Sequence, residues 1–507
     1  MSVNKGKCTQ GLAEVAMFFI LVFLAGCAED PGSATDPNLT TFEEFTPRSS
    51  IAPLNPDSIA AAELVQPQNA LAIQFFQYTN RGVENTSDAT NGVVAGYGLS
   101  QTLAMLAAGA RGTTAAEFPA GLDASVDPEV WSEGLYALNQ QVGAGTGFAL
   151  RNAVWGQTGY RFLADYLNIL AEGFEADLTA YAFKPVSEGQ LGSTGDIPVV
   201  ILGGSYAPTG AYWSLMDDWA TALTIPNNLD AYSVSQNDPD RTRLAFANSS
   251  TLAGDWPMAQ TPADSVDGLF ESFEGLQYWV PMLRQQGTFG FYQDELLSAV
   301  ELPLGVGDQS LLLITPSAGN YASVFSNLAQ HLNALTGLLM PTEMETFIPE
   351  FSFTDAGVLD GFLGSLGFDE VYLDDYPGCT EQCGPDFSGI NGQGFLRLAS
   401  VTRRAALSFS SEAVNATSIT AAVMEATQTE PASVWDGYPV SLTGGSGSVS
   451  GLTITAGGGC SPTYIPAGDT QVRPFIFIVR DSQTGTILYL GQLTDAGGTE
   501  AGSWVCL

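Results

Sequence analysis

Twelve consecutive residues, Ala413 to Met424 (AVNATSITAAVM), carry no charge, no proline and no glycine. They constrain this chain more than any other stretch. A central strand needs every N–H, because proline removes a ladder donor, and neither face of the strand tolerates an unpaired charge. These residues meet both conditions, yet most are small enough for a loop. The segment Ser410 to Phe475 therefore reads as a bait loop whose first part can enter a sheet. Alternation would place Val414, Ala416, Ser418, Thr420 and Ala422 against a core, with Ala413, Asn415, Thr417, Ile419 and Ala421 on the other face.

The rest of the 507-residue chain is globular in composition, 45% hydrophobic, and long enough for one large domain or two ordinary ones. With 16 Lys+Arg against 54 Asp+Glu, a net charge of −38 leaves too little to neutralise phosphates, which excludes nucleic acid as a partner. At the N-terminus, Lys5 and Lys7 precede an apolar run, Ala16 to Ala25, too short to span a bilayer comfortably. Leu24-Ala25-Gly26-Cys27 resembles the bacterial lipobox, so residues 1–26 read as a lipoprotein signal peptide and Cys27 as the lipidated residue. An ordinary signal peptide with an incidental cysteine is the alternative. Ala28 resembles the residue that sorts lipoproteins to the outer membrane. Residues 27–58, rich in Pro, Ser, Thr and acid, read as a flexible tether before a single domain at 59–507.

Export permits disulfides, and the pairings favoured are Cys379 with Cys383 and Cys460 with Cys506. A metal site is the sharper alternative, but CTEQC lacks the usual spacing and His331 is the only histidine. That single histidine, in a helical pattern, together with the lack of a G-x-S-x-G elbow, argues against a hydrolase. No motif holds a phosphate, a metal or another cofactor, and Asp374-Asp375 reads as solvated loop charge. The expectation is a protein that is not an enzyme.

The remaining motifs fall in a fixed order: NGVVAGYGLSQTLAMLAAGARGTTAAEF from Asn91, YRFLADYLNILAEGFEADLTAYAF from Tyr160, YWSLMDDWATALT from Tyr212 and RLAFANSSTLAGDW from Arg243. Then come Val280 to Pro316, read as a strand pair, FIPEFSF at 347–353, LGSLGF at 363–368, DFSGI at 386–390 and the hairpin Arg473 to Leu493, turning at Thr484-Gly485. An amphipathic helix is expected at Ile59 to Tyr78. Over roughly residues 60–495 this order resembles the serpin family.

The resemblance implies an α+β fold: three β-sheets, one large and central, about eight or nine helices, and an exposed reactive loop. It also implies an inhibitor of serine-type, or cysteine, endopeptidases that acts as a suicide substrate. The peptidase cuts the loop, stays covalently attached, and is carried away as the loop inserts. The hinge would be Ala413, Val414, Asn415, Ala416, Thr417 and Ser418. Counting from it places the scissile bond at Thr427-Gln428, within a window from Met424 to Thr429, which suits an elastase- or subtilisin-like peptidase. Tyr438 and Leu452 are secondary positions.

The sheet-opening region would hold Asn248, Trp256 and Arg403. Here the family pattern changes, with Ala95, Gly96 and Gly98 on its Ser-Pro-x-Ser positions and Arg403 on its histidine. Arg403 could donate instead to Asn248 or to backbone carbonyls. The hinge also departs from the family, with Ala413 for Gly, Val414 for Thr and Asn415 for Glu. Insertions lie near 185–210 and 430–470. The expected protein is a monomer, lipid-anchored in a bacterial cell envelope, with a peptidase as its covalent partner and the N-terminal lipid as its only membrane contact. The rival reading is a non-inhibitory serpin serving as a cell-surface binding module.

Overall fold

The computed structural model describes residues 38–47, 61–80, 90–121, 128–142, 147–183, 219, 240–256, 265–305, 308–375, 384–411, 413–428, 430, 472–497 and 499–500. The first long helix, α1 (Ala61–Thr79), buries Leu64, Leu71, Phe75 and Phe76 on one face. These apolar residues follow helical spacing, and the face they form meets two later helices, α6 (Tyr321–Ser326) and α8 (Asp360–Ser365). Phe76 lies 5.2 Å from Phe325, and Phe75 stacks on Phe362 at 5.1 Å.

After strand β2 (Gly92–Val94) comes α2 (Gly96–Ala107), buried at every residue because both large sheets pack against it. Helices α3 (Gly112–Gly121), α4 (Pro128–Val142), α5 (Ala164–Asn168, running on as a π-turn to Gly173), α7 (Leu328–Leu338) and α9 (Ser388–Asn391) complete nine among the described residues.

The strands form three sheets. The largest follows the order β11-β8-β9-β10-β15-β16-β2, with β7 and β17 also paired to β8. Its members are β7 (Ser265–Glu271), β8 (Gln277–Gln293), β9 (Leu297–Leu304), β10 (Gln309–Pro316), β11 (Met340–Pro349), β15 (Phe475–Asp481), β16 (Ile487–Leu493) and β17 (Thr499–Glu500). The stretch from Val280, read as a strand pair, is three strands. Asp294 makes the extra turn by accepting the Leu296 and Leu297 amides, and those bonds hold its carboxyl below the usual range. The hairpin at Thr484-Gly485 forms as the sequence predicts, with Gly485 at φ +79°.

The second sheet has six strands in the order β12-β13-β14-β6-β3-β5. They are β3 (Phe148–Gln157), β5 (Asp177–Tyr181), β6 (Thr242–Asp255), β12 (Phe351–Val358), β13 (Leu396–Phe409) and β14 (Ala413–Ala426). Its inner face meets the nine-stranded sheet through Phe351, Phe409 and Phe477, whose rings lie 4.6–5.9 Å apart. On its outer face the indole of Trp219 stands edge-on to Trp155 at 5.8 Å. Trp219 is the one described residue of the helix expected at Tyr212 to Thr224.

The third sheet corrects the tether reading. Strand β1 (Leu39–Thr40) pairs with β4 (Phe162–Leu163), and the Ala164 amide donates to the Asn38 carbonyl at 2.6 Å. Phe42 is buried, 4.9 Å from Phe162, in space that Gly156 leaves open; a Cβ there would meet the Phe42 ring at 2.4 Å. The compact unit accordingly starts at Pro37 rather than near residue 59. Composition concealed this, since two apolar residues in a polar stretch suffice to dock it. The signal peptide, Cys27, the segment near 185–210, all four candidate disulfide cysteines (Cys379, Cys383, Cys460, Cys506) and residues 431–471, with Tyr438 and Leu452, lie outside the described residues.

Candidate functional site: the strand between two parallel neighbours

The uncharged stretch Ala413–Met424 lies within a fourteen-residue strand, Ala413–Ala426, in the middle of the six-stranded sheet. It runs antiparallel to β13 on one side, from Val414 opposite Phe409 to Ala426 opposite Leu396. On the other side it runs antiparallel to β6, from Ala413 opposite Asp255 to Glu425 opposite Thr242. Strands β13 and β6 are therefore parallel to each other. Without β14 they could pair only as a parallel ladder, the weaker arrangement per residue; with it the sheet gains two antiparallel ladders.

Only three residues, Ser410 to Glu412, separate β13 from β14. Ser410 closes that turn by donating its amide to the Ala413 carbonyl at 3.1 Å, and the Trp256 indole N–H donates to the Ser410 carbonyl at 3.0 Å.

The two faces of the strand separate by environment. Val414, Ala416, Ala422 and Met424 join the main core, while Ser418 and Thr420, also buried, lie on the same side. Ser418 bonds the Ser250 hydroxyl at 2.7 Å, and Ser250 bonds Tyr489 at 2.8 Å. Opposite, Asn415 is exposed and Thr417 half-buried, whereas Ala421 is covered by Ala153, Trp155, Ala245 and Ala247, with Phe183 and Trp219 in the same cluster. Ala413 is not among the positive-φ residues, so alanine is unstrained there; Val414 is wholly buried.

Asn248 lies opposite Thr420. Its amide donates to Asn152 Oδ1 at 2.8 Å, while its own Oδ1, buried, has no partner. Gly98 leaves room for that oxygen; a Cβ would stand 2.6 Å from it. Gly98→Ala should lower stability by about 1 kcal/mol, because overpacking here outweighs the helix propensity gained. A urea unfolding midpoint would register the loss.

Arg403 does not reach Asn248. It donates to the Val93 carbonyl at 3.0 Å and to Asp355 Oδ2 at 3.0 Å, and its guanidinium lies 5.0 Å over the Phe75 ring. Of the two uses foreseen for it, the backbone carbonyl is the one made.

The far end of the strand holds residues that sequence reasoning missed. The Arg241 guanidinium donates to the Ala426 carbonyl at 2.6 and 2.8 Å and to Asp374 at 2.6 Å. Arg397 pairs with Glu425 at 2.7 Å, and Arg243 with Glu430 at 2.6 Å. Asp374 is thus no solvated loop charge: it also accepts the Gln428 amide at 2.9 Å, and Asp375 beside it is buried. The scissile-bond candidates lie along this end, with Met424 buried in the strand, Thr427 4% exposed and donating its amide to Phe395, and Gln428 exposed.

Partial burial pushes the Asp374 carboxyl up, but the bonds from Arg241 and the Gln428 amide, with the charges of Arg241 and Arg397, hold it below its usual range. A depressed carboxylate stabilises the fold above its unfolded value, near pH 4, and loses that contribution as pH falls through the folded value. Wild type should therefore exceed Asp374→Asn in urea midpoint at pH 7, and the gap should close below about pH 4.

A family model described as "Serpin (serine protease inhibitor)" matches residues 66–191 and 216–496. An uncharacterized serpin-like protein of Thermococcus kodakarensis is similar at 24% identity, over 94% of this chain and 96% of its own. Leukocyte elastase inhibitor A of Mus musculus is 22% identical over 85% of this chain and 99% of its own. Among solved structures, "Cleaved Serpin 42Da" superposes with a TM-score of 0.63 at 14% identity, covering 86% of this chain and 99% of that one.

Proposed function

The chain belongs to the serpin family, whose members are typically protease inhibitors, and from that premise we propose that it inhibits serine-type, or cysteine, endopeptidases as a suicide substrate. The peptidase nucleophile attacks the Thr427 carbonyl. The bond to Gln428 breaks, its nitrogen leaving as an amine with a proton from the peptidase's general acid, and an acyl-enzyme remains. Entry of Ala413–Ala426 into the sheet then moves the acylated end by about 45 Å, the length of fourteen residues in strand geometry. The displaced active site deacylates too slowly to release the enzyme.

One observation carries this reading. The only long stretch that is free of charge, proline and glycine and lies in the expected loop fits as a strand between two parallel neighbours, joined to β13 by a three-residue turn. Apolar or small side chains at Met424, Ala426 and Thr427 favour an elastase- or subtilisin-like target, and a similar mouse protein is named a leukocyte elastase inhibitor. The substitutions at Ala413, Val414 and Asn415, which suggested a non-inhibitory binding module, occupy regular strand positions and so do not favour that reading.

Lipid on Cys27 would anchor the inhibitor to a bacterial envelope, at the outer membrane, as a monomer with disulfides among Cys379, Cys383, Cys460 and Cys506. Incubation with elastase- and subtilisin-like peptidases is expected to give a covalent complex that survives denaturant. Cleavage of the loop without any such complex would sink the mechanism.

A further inference from the structure

We propose that Arg243 and Asp374 lock the strand in the sheet of the uncut chain, by holding Glu430 and the Gln428 amide, groups that lie beyond the candidate scissile bond. The inference rests on Ala413–Ala426 being an insertable loop with its bond at Thr427-Gln428. The contacts at the far end then divide by the side of that bond on which they fall.

On the near side, Arg397 holds Glu425 and Arg241 holds the Ala426 carbonyl. These groups stay with the strand whether or not the loop has been cut. On the far side, Asp374 Oδ1 accepts the Gln428 amide at 2.9 Å, and Arg243 grips both carboxylate oxygens of Glu430, Nε to Oε1 at 3.0 Å and Nη2 to Oε2 at 2.6 Å. A cut at Thr427-Gln428 leaves both groups on the C-terminal fragment, which is not drawn into the sheet. The far-side contacts therefore belong to insertion without cleavage.

Arg243 is built into the body as a receptor. Its side chain is 3% exposed and that of Glu430 9% exposed. Its remaining nitrogen, Nη1, donates to the Asp240 and Thr242 carbonyls at 3.0 Å each, and the guanidinium lies 5.6 Å over the Tyr160 ring. Tyr160 is in turn fixed by the Asn391 amide at 2.8 Å. A guanidinium so buried requires an anionic partner. In a chain with only 16 basic residues, three arginines converge on this one end of the strand. Glu430, four residues past the strand, supplies the carboxylate when the uncut loop enters to full depth. The lock makes self-insertion a stable way of withdrawing the bait.

Glu430→Gln, nearly isosteric, separates the two sides of the bond, with Glu425→Gln as its counterpart. Unfolding rates in guanidinium are measured for the full chain in its uncut, self-inserted form, recognised by slow amide exchange across Ala413–Ala426, and again for freshly refolded chain cut with an elastase-like peptidase, the cut being placed by mass spectrometry. Glu430→Gln should speed unfolding of the uncut form about tenfold or more and leave the cut form within about twofold of wild type, because a hydrogen bond to a charged group is involved. Glu425→Gln should speed both. Equal weakening of both forms by Glu430→Gln, or no effect on either, overturns the lock. Absence of a covalent complex with wild type is a separate result: it refutes the inhibitor reading, whatever Glu430 does.

Discussion

Ala416→Glu is expected to abolish the covalent complex while leaving the loop cleavable. Ala416 is 1% exposed, lies opposite Leu407 on β13 and Leu252 on β6, and belongs to the main core. A carboxylate carried there would be buried in that apolar core, and burying it costs several kcal/mol, comparable with the stability of a whole domain. On an exposed loop the same carboxylate costs nothing. Insertion should fail, the acyl-enzyme should hydrolyse, and the peptidase should turn the variant over as a substrate. Asn415→Glu is the control: position 415 is exposed in the strand, so complex formation should persist. Denaturing gels of the two variants with one peptidase distinguish them.

The second large effect is at Arg403. Its 5%-exposed side chain ties the Val93 carbonyl of β2 to Asp355 of β12, covers Phe75 of α1, and reaches all three from the middle of β13. Arg403→Ala removes two charge-assisted bonds and leaves Asp355, about a quarter exposed, without this cation. A loss of about 3 kcal/mol is expected, the low end for breaking a buried ion pair. Arg403→Lys should recover little, since a single ammonium cannot reproduce the two divergent donors or lie flat on the ring. The urea midpoint should fall for both variants at an unchanged m-value.

Much of this arrangement was legible in the chain because it depends on local pattern. The absence of charge and proline from Ala413 to Met424 identifies a segment fit for a sheet interior, and strict alternation foretells which of its side chains face the core. The change from the family pattern at Gly98 was visible too, but the space it leaves for Asn248 was not. What could not be read was pairing between distant charges. Asp374 lies 133 residues from Arg241, and nothing near Asp374 in sequence distinguishes it from solvent-facing acid. Arg403 could be assigned a donor's role but not a recipient, because Asp355 and Val93 reach it only through the fold. The one available signal was scarcity: in so acidic a chain, Arg241 and Arg243, two residues apart at the start of a strand, invite a search for acidic partners. The docking of Leu39 and Phe42 escaped for a related reason, as two apolar residues do not make a periodic pattern.

The central claim is that Ala413–Ala426 is a strand that the protein acquires, not one it always has. Amide hydrogen exchange across this segment tests it most directly, in the full chain freshly refolded and again after a single cut between Met424 and Thr429. The account predicts fast exchange in the fresh chain and, once cut, protection approaching that of β6 and β13 beside it. Protection already complete in the fresh chain at the earliest time and unchanged by cutting would make the segment a permanent core strand, and would contradict the account.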